Sequence, residues 1–372
     1  MRAGWAVAGL VVSFALMVPV ARADDAVLCT NSHGEESISA CTRAIASGRL
    51  TGLALASAYA SRGVEYQSAG DNDHAIADFS EAIRLNPKDA VSYASRGVAY
   101  QTKGATPLAI TDFGEAIRLN PQDSLTYAMR AAAFEAIGDH DHAIADFGEV
   151  IRRNPKDFAT FVKRGQTWEA KGDHARAVAD DNDAIWLNPD YAEAYYARGL
   201  VYSATGALDQ AIADYDDAVR LNPQFAEAYN SRGLAYSAKG DIERAVADYG
   251  EAIRANPDFG HAYNNRCWKL AVIGRLERAL ADCSRALALA PRDAEALDRR
   301  GFTNLKLGRV ADAIADYDRA LKVAPATASS LYGRGLAKAK AGDQTGAKAD
   351  LTAARVLQPD IAEAFEGYGV TP

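Results

Sequence analysis

The sequence predicts an all-α solenoid, an array of stacked helical hairpins, and three regularities predict it. Prolines recur every 34 residues at Pro87, Pro121, Pro155, Pro189, Pro223, Pro257, Pro291, Pro325 and Pro359, without one insertion, in a chain of twelve prolines. Glycine stands 17 residues before each of them, from Gly70 to Gly342, and alanine 12 before, from Ala75 to Ala347. A fixed period of this length means one supersecondary unit stacked many times, each burying its apolar face against its neighbours. Length alone, 372 residues, suggests two or three domains, but the unbroken period favours one elongated array. Apolar residues make up 49% and charged residues 24%, which is ordinary for a folded soluble protein.

In chain order, Met1 and Arg2 precede an apolar run from Ala3 to Val20 that contains Pro19 and closes on Ala21-Arg22-Ala23. A basic start, an apolar centre and a small-x-small end are the parts of a secretory signal peptide, residues 1–23, cut before Asp24. A retained anchor is the competing reading, since the run is nearly long enough to span a bilayer. Pro19 and the small residues at 21 and 23 favour cleavage. No second apolar run follows, so no membrane insertion is expected after cleavage. The full chain carries a formal charge of −8, and residues 24–372 carry about −10. An acidic chain without a basic run argues against nucleic acid or an anionic membrane as partner.

Residues 24–55 form an N-terminal capping segment. Its stretch Ser37–Ile45 reads like the second helix of a repeat whose first helix is missing. Four cysteines fall in two close pairs, Cys29 with Cys41 and Cys267 with Cys283. In an exported protein such pairs become disulfides, and zinc needs more ligands in tighter spacing than these supply. Cys29 would tie the leading loop to the following helix through Cys41.

Ending each period two residues after its proline gives repeats that start at 56, 90, 124, 158, 192, 226, 260, 294 and 328 and run to 361. In the repeat 226–259, two helical patterns face each other across Gly240, and Pro257 stops the second. A helix that ends and reverses within three residues needs a left-handed residue, which glycine takes without strain. Asp241 follows to cap the next helix, and in the second repeat Thr106-Pro107 is expected to do the same work. Tyr229, Gly233, Tyr236, Ala245, Tyr249, Ala252 and Pro257 stand at repeat positions 4, 8, 11, 20, 24, 27 and 32. This pattern resembles the tetratricopeptide repeat (TPR) family over residues 56–361. The resemblance implies a right-handed superhelix of nine helix-turn-helix repeats, with residues 362–372 as a short C-terminal solvating helix.

Two charged positions are as uniform as the glycine. Repeat position 7 is arginine from Arg62 to Arg334, and position 23 is aspartate from Asp78 to Asp350. Antiparallel helices bring these together, so they should pair across the hairpin or with a neighbouring repeat. Identical charges in every repeat look like scaffold rather than a ligand track, because a paired charge is not free to bind.

Two repeats break the pattern. In the seventh, Cys267 replaces the small residue at position 8 and Cys283 the aromatic at position 24. The family resemblance implies that these slots touch, and hence an intra-repeat disulfide. In the fourth, Asp181 stands where an aromatic is expected. The run Asp180–Asp183 lacks the spacing of a calcium loop, so a solvated, poorly packed helix is expected there, the weakest point of the array.

For function, no catalytic cysteine, histidine or serine pattern and no glycine-rich phosphate loop occurs, so no enzyme activity and no cofactor is expected. His140, His142 and His174 fall at the starts of second helices on the solvent side and are not read as a metal site. The TPR resemblance implies that first helices line a concave face. There the first repeats carry small residues such as Ala60, Ser61, Ala94 and Ser95. From the fifth repeat onward the lining becomes Tyr196, Asn230, Asn264, Asn265, Trp268, Asp298, Arg299 and Tyr332. A groove mixing aromatics, amides and single charges suits an extended peptide or a partner helix. Some family members clamp C-terminal carboxylates with Lys and Asn, then Asn, then Lys and Arg. Asn265 and Arg299 match that clamp, but Asn230, Leu234 and Glu295 do not. The reading is a non-enzymatic protein-interaction scaffold that resembles periplasmic TPR proteins of Gram-negative bacteria. A self-assembling envelope component and a metal- or redox-active protein are the alternatives, and the oligomeric state is left open.

Overall fold

The computed structural model describes residues 25–371, so the signal segment at 1–23 lies outside the described residues. These residues group into two units that divide between Lys156 and Asp157. The first unit holds α1 (Asp25–Asn31), α2 (Gly34–Ala46), α3 (Gly52–Ser68), α4 (Asn72–Leu85), α5 (Ala90–Thr102), α6 (Thr106–Leu119), α7 (Ser124–Ala136) and α8 (His140–Arg153). The second opens with α9 (Phe158–Ala170), α10 (His174–Leu187), α11 (Ala192–Ala204), α12 (Leu208–Leu221), α13 (Ala226–Ala238) and α14 (Ile242–Ala255). It continues with α15 (Gly260–Val272), α16 (Leu276–Leu289), α17 (Ala294–Lys306), α18 (Val310–Val323), α19 (Ala328–Lys340), α20 (Gln344–Leu357) and α21 (Ile361–Gly367). No strand occurs among the described residues. From α3 to α20, each odd-numbered helix packs against the next as a hairpin.

Local chemistry explains the hairpins. The glycine between paired helices has φ between +73° and +90° in all nine repeats, where a side chain would be strained. Asp71, Asp139, Asp173, Asp241 and Asp343 then cap the second helices by accepting a backbone N–H three residues on. In the second repeat the cap differs from expectation: Ala105 holds the N-cap without a side-chain bond, and Thr106 is already helical. Each second helix ends before its proline, whose ring pushes the preceding residue out of helical geometry, as at Asn86 with φ −134° and ψ 82°.

Between the two helices, the alanine at position 20 is almost fully buried in every repeat, as the close approach requires. A Cβ built on Gly97 or Gly199 would lie 2.7 Å from the ring of Phe113 or Tyr215, so the small residue at position 8 makes room for the aromatic at 24. Beside this contact runs a charged one. In all nine repeats the arginine at position 7 donates two hydrogen bonds to the aspartate at 23 of its own hairpin, at 2.6–2.9 Å. In four of these repeats the remaining amine also reaches a side chain of the preceding repeat: Ser80, Asn182, Asp216 and Asp318 accept from Arg96, Arg198, Arg232 and Arg334.

The cysteines form two disulfides, Cys29–Cys41 and Cys267–Cys283, and all four sulfurs are bonded. Ahead of the repeats, the first helix thought to be missing is present in shortened form as α1, and Cys29 lies in it rather than in a loop. In the seventh repeat the second bond occupies the glycine and ring slots, and both residues are fully buried. It closes a 16-residue separation, and reducing it in the full chain is expected to cost about 3 kcal/mol in a urea titration. The double substitution Cys267→Gly/Cys283→Tyr, which restores the usual slot pair, should then lose that part of the reductant response and keep only the shift that comes from Cys29–Cys41.

The fourth repeat corrects an expectation. Asp181 is not solvated: it is 1% exposed, and neither carboxylate oxygen has a hydrogen-bond partner. Eight of nine repeats place a nonpolar or aromatic side chain or a cysteine at this position, and the hairpin geometry set by the other slots carries position 24 inside whatever its chemistry. Burial, with Asp180 alongside, pushes the Asp181 carboxyl up to about 8.

Candidate functional site

Within the second unit, first helices of successive hairpins touch one another, α9 with α11, α11 with α13, α15 with α17 and α17 with α19. Successive second helices make no comparable contact. The first helices therefore form the closely spaced inner face, and their outward-turned side chains are the surface available to a ligand. At repeat position 9 this face carries an apolar stripe of Leu200, Leu234, Trp268, Phe302 and Leu336. Leu200 and Leu234 are exposed at 37% and 46%, whereas Phe302 and Leu336 are buried.

A polar ladder runs beside the stripe. Asn265 donates to Asn230 Oδ1 at 3.0 Å, and Arg299 donates to Asn265 Oδ1 at 3.2 Å. Arg299 also pairs with Glu295, which in turn accepts from Asn264 Nδ2 at 3.3 Å. Four of the residues singled out in the sequence are thus joined across three hairpins, together with Glu295, which the sequence marked only as a mismatch to the carboxylate clamp. Glu295 also accounts for the failed clamp: a carboxylate already satisfies the guanidinium that would receive a C-terminal carboxylate. Burial lowers the pKa of Arg299 from its ordinary value and raises the Asp298 carboxyl, which accepts from Ser330 Oγ at 2.5 Å.

The remaining residues part company. Tyr196 is half-buried, its ring 4.8 Å from that of Phe225 and its hydroxyl 3.5 Å from Ser231 Oγ. Asn230 and Asn264 are 9% and 2% exposed, so they shape the face from beneath rather than project from it. Tyr332 does not line a groove at all: it is fully buried, because Phe365 of α21 lies 4.8 Å from its ring. Trp268 is also partly covered, its ring 5.0 Å from Tyr368.

Those two contacts belong to a larger one. Phe365 and Tyr368 both reach Phe302, at 5.6 and 6.0 Å, and Lys306 Nζ donates to the backbone carbonyls of Ala271 and Tyr368 at 2.9 Å each. A pocket of about 290 Å³ remains beneath, lined by Trp268, Asp298, Arg299, Phe302, Phe365 and Tyr368. The aromatic pair after the last repeat proline, one turn apart, was the available sequence signal for this contact.

Elsewhere, His142 Nδ1 lies 2.7 Å from Asp139 and His174 Nδ1 2.6 Å from Glu169, so both imidazoles engage carboxylates at their own hairpin turns. Among the described residues no cluster of three or more His, Cys, Asp or Glu side chains is placed to hold a metal ion, and no helix is long and apolar enough to cross a membrane.

Tetratricopeptide repeat models match residues 56–89, 226–259 and 294–327, and further TPR models match 129–192 and 202–240, together just over half of the chain. The chain belongs to the TPR family. Solved TPR structures share the fold. One from Parabacteroides merdae aligns with TM-score 0.54 at 18% identity, covering 67% of this chain and 98% of its own. The C-terminal part of a TPR protein from Cytophaga hutchinsonii aligns with TM-score 0.52 at 17% identity, covering 64% and 97%. The Cut9–Hcn1 hetero-tetramer of the APC/C aligns with TM-score 0.51 at 14% identity, covering 86% of this chain and 77% of that one. The sequence matches no curated protein. TPR proteins generally mediate protein–protein interaction and are typically non-enzymatic scaffolds.

Proposed function

We propose that this TPR protein is a non-enzymatic scaffold that holds a segment of a partner protein along the inner face of its second unit. The observation that carries the reading is the exposure of Leu200 and Leu234 at 37% and 46% beside the fixed Asn230–Asn265–Arg299 ladder. Exposed apolar side chains in register give anchoring area, and the partly exposed Asn265, already held in place by its neighbours, gives hydrogen bonds at little ordering cost. A protein or peptide is the ligand rather than nucleic acid, in keeping with the acidic balance of the chain. Two disulfides support an oxidising compartment, and we place the protein in the periplasm of a Gram-negative bacterium.

The test is proximity crosslinking in the cell envelope with wild type and with Leu200→Ser/Leu234→Ser. Both residues are exposed, so the substitutions leave the core intact. The expected result is a partner whose crosslinked yield falls about tenfold in the variant, equivalent to about 1.4 kcal/mol. Equal yields from the two proteins would place the binding surface elsewhere.

A further inference from the structure

We infer that the pocket at the inner face of the last three repeats is a receptor for a short helical segment carrying two aromatic residues one turn apart, and that the chain's own C-terminal segment occupies it as a displaceable stand-in. This rests on the protein-binding reading above and names the kind of partner segment this part of the face takes.

The first argument is reach. A segment that only seals the open end of a repeat array covers the last hairpin, here α19 and α20. This one goes further: Phe365 and Tyr368 contact Phe302 in the eighth repeat, and Tyr368 contacts Trp268 in the seventh. The side chains it meets belong to the same stripe that lies open at Leu200 and Leu234. The segment is therefore seated as a ligand on the inner face would be.

The second argument is intrinsic order. The helix α21 is seven residues long, and its N-cap Asp360 makes no side-chain cap bond. Helices this short are not stable alone, so groove contacts supply the order of this one. The third is the mode of contact. Two aromatic rings enter an apolar stripe while Lys306 grips a main-chain carbonyl, which is how a groove reads a helix or peptide end without depending on every side chain. The fourth is incomplete filling. The pocket of about 290 Å³ left between the segment and Asp298, Arg299 and Phe302 gives a better-fitting competitor room that the chain's own segment leaves unused. A ligand that competes with a tethered occupant binds with its affinity reduced by the fraction of open pocket.

The experiment uses the full chain and a fluorescein-labelled peptide of residues 358–372 as probe. Binding by wild type is expected to be weak, because the tethered copy holds the pocket. In Phe365→Ala/Tyr368→Ala the probe should bind at least about tenfold more tightly. Adding Trp268→Ala should remove that gain. Native-state hydrogen exchange on the unaltered chain supplies a readout that does not depend on the variants folding: amides of 361–370 should exchange at least about tenfold faster than those of α19 and α20, reporting independent opening. Failure of the opened variant to bind the probe, or exchange of the tail only together with α19 and α20, would reduce the segment to a structural cap. The probe reads the pocket alone and the Leu200/Leu234 crosslinking reads the open face alone, so either can fail while the other stands.

Discussion

Asp181→Leu raises the stability of the chain at pH 8, by roughly 3–5 kcal/mol in the transition that unfolds the fourth repeat. The gain comes from removing a carboxylate that is 1% exposed and has no hydrogen-bond partner, in a slot that holds a ring in the flanking repeats. Leucine is preferred to phenylalanine for a packing reason. The position that meets the ring from the next repeat is alanine beside Phe113 and Tyr215, namely Ala133 and Ala235. After the fourth repeat that position is Val201, 3% exposed, so part of the ring volume is already taken. The ninth repeat shows that leucine fits against glycine in this slot, with Leu351 facing Gly335.

The same residue predicts a pH dependence of definite sign. With the folded carboxyl at about 8 and the unfolded one near its ordinary value of about 4, the folded chain keeps the proton longer. The stabilisation that Asp181 contributes is then highest below about pH 4, falls as pH rises from about 4 to about 8, and levels off above. Urea titrations of wild type and Asp181→Asn across that range isolate the term, since Asp180, Arg198, Asp214 and Glu169 nearby are common to both. A wild-type-minus-variant difference that does not change between pH 5 and pH 8 would show that Asp181 ionises freely.

Arg232→Ala is expected to cost about 3–5 kcal/mol, the range for breaking a buried ion pair by removing one partner. Arg232 holds Asp248 of its own hairpin through two hydrogen bonds and Asp216 of the preceding repeat through a third. Asp248 is 5% exposed, and burial already raises its carboxyl despite the arginine, so an orphaned charge there is expensive. The paired replacement Arg232→Met/Asp248→Leu should recover most of the loss, because both desolvation costs vanish together. Arg266→Ala provides an internal comparison: its free amine faces Gly250, which has no side chain to accept, so it should cost less than Arg232→Ala. Equal losses at the two sites in urea unfolding would mean that the inter-repeat bond to Asp216, exposed at 53%, contributes nothing measurable.

Most of the repeat architecture was legible in the residues, and the reason is local. The turn glycines, the capping aspartates and the terminating prolines each act within a few residues of themselves, so their chemistry is visible in one repeat and multiplied by the period. The arginine–aspartate pairing was legible as one of two alternatives. Hairpin geometry chose the intra-repeat partner, and a second bond crosses to the preceding repeat from Arg96, Arg198, Arg232 and Arg334. The Cys267–Cys283 bond followed from two slots that the family resemblance brings together.

The candidate site was only partly legible. Side chains at the right repeat positions were identified, but whether each stands free depends on what packs over it, and that is a long-range fact. Tyr332 and Trp268 sit at lining positions, yet a segment about 35 and 100 residues downstream covers them. Asp181 shows the converse: a residue whose chemistry asks for water is carried inside because its neighbours' packing sets the backbone. By itself, then, the sequence determined the all-α repeat, its register and its internal pairs, since these rest on contacts within one period. Only the tertiary structure decided which inner-face positions are open, which are covered by the chain's own end, and which charge is buried without a partner, because exposure is a property of the whole stack and not of the repeat.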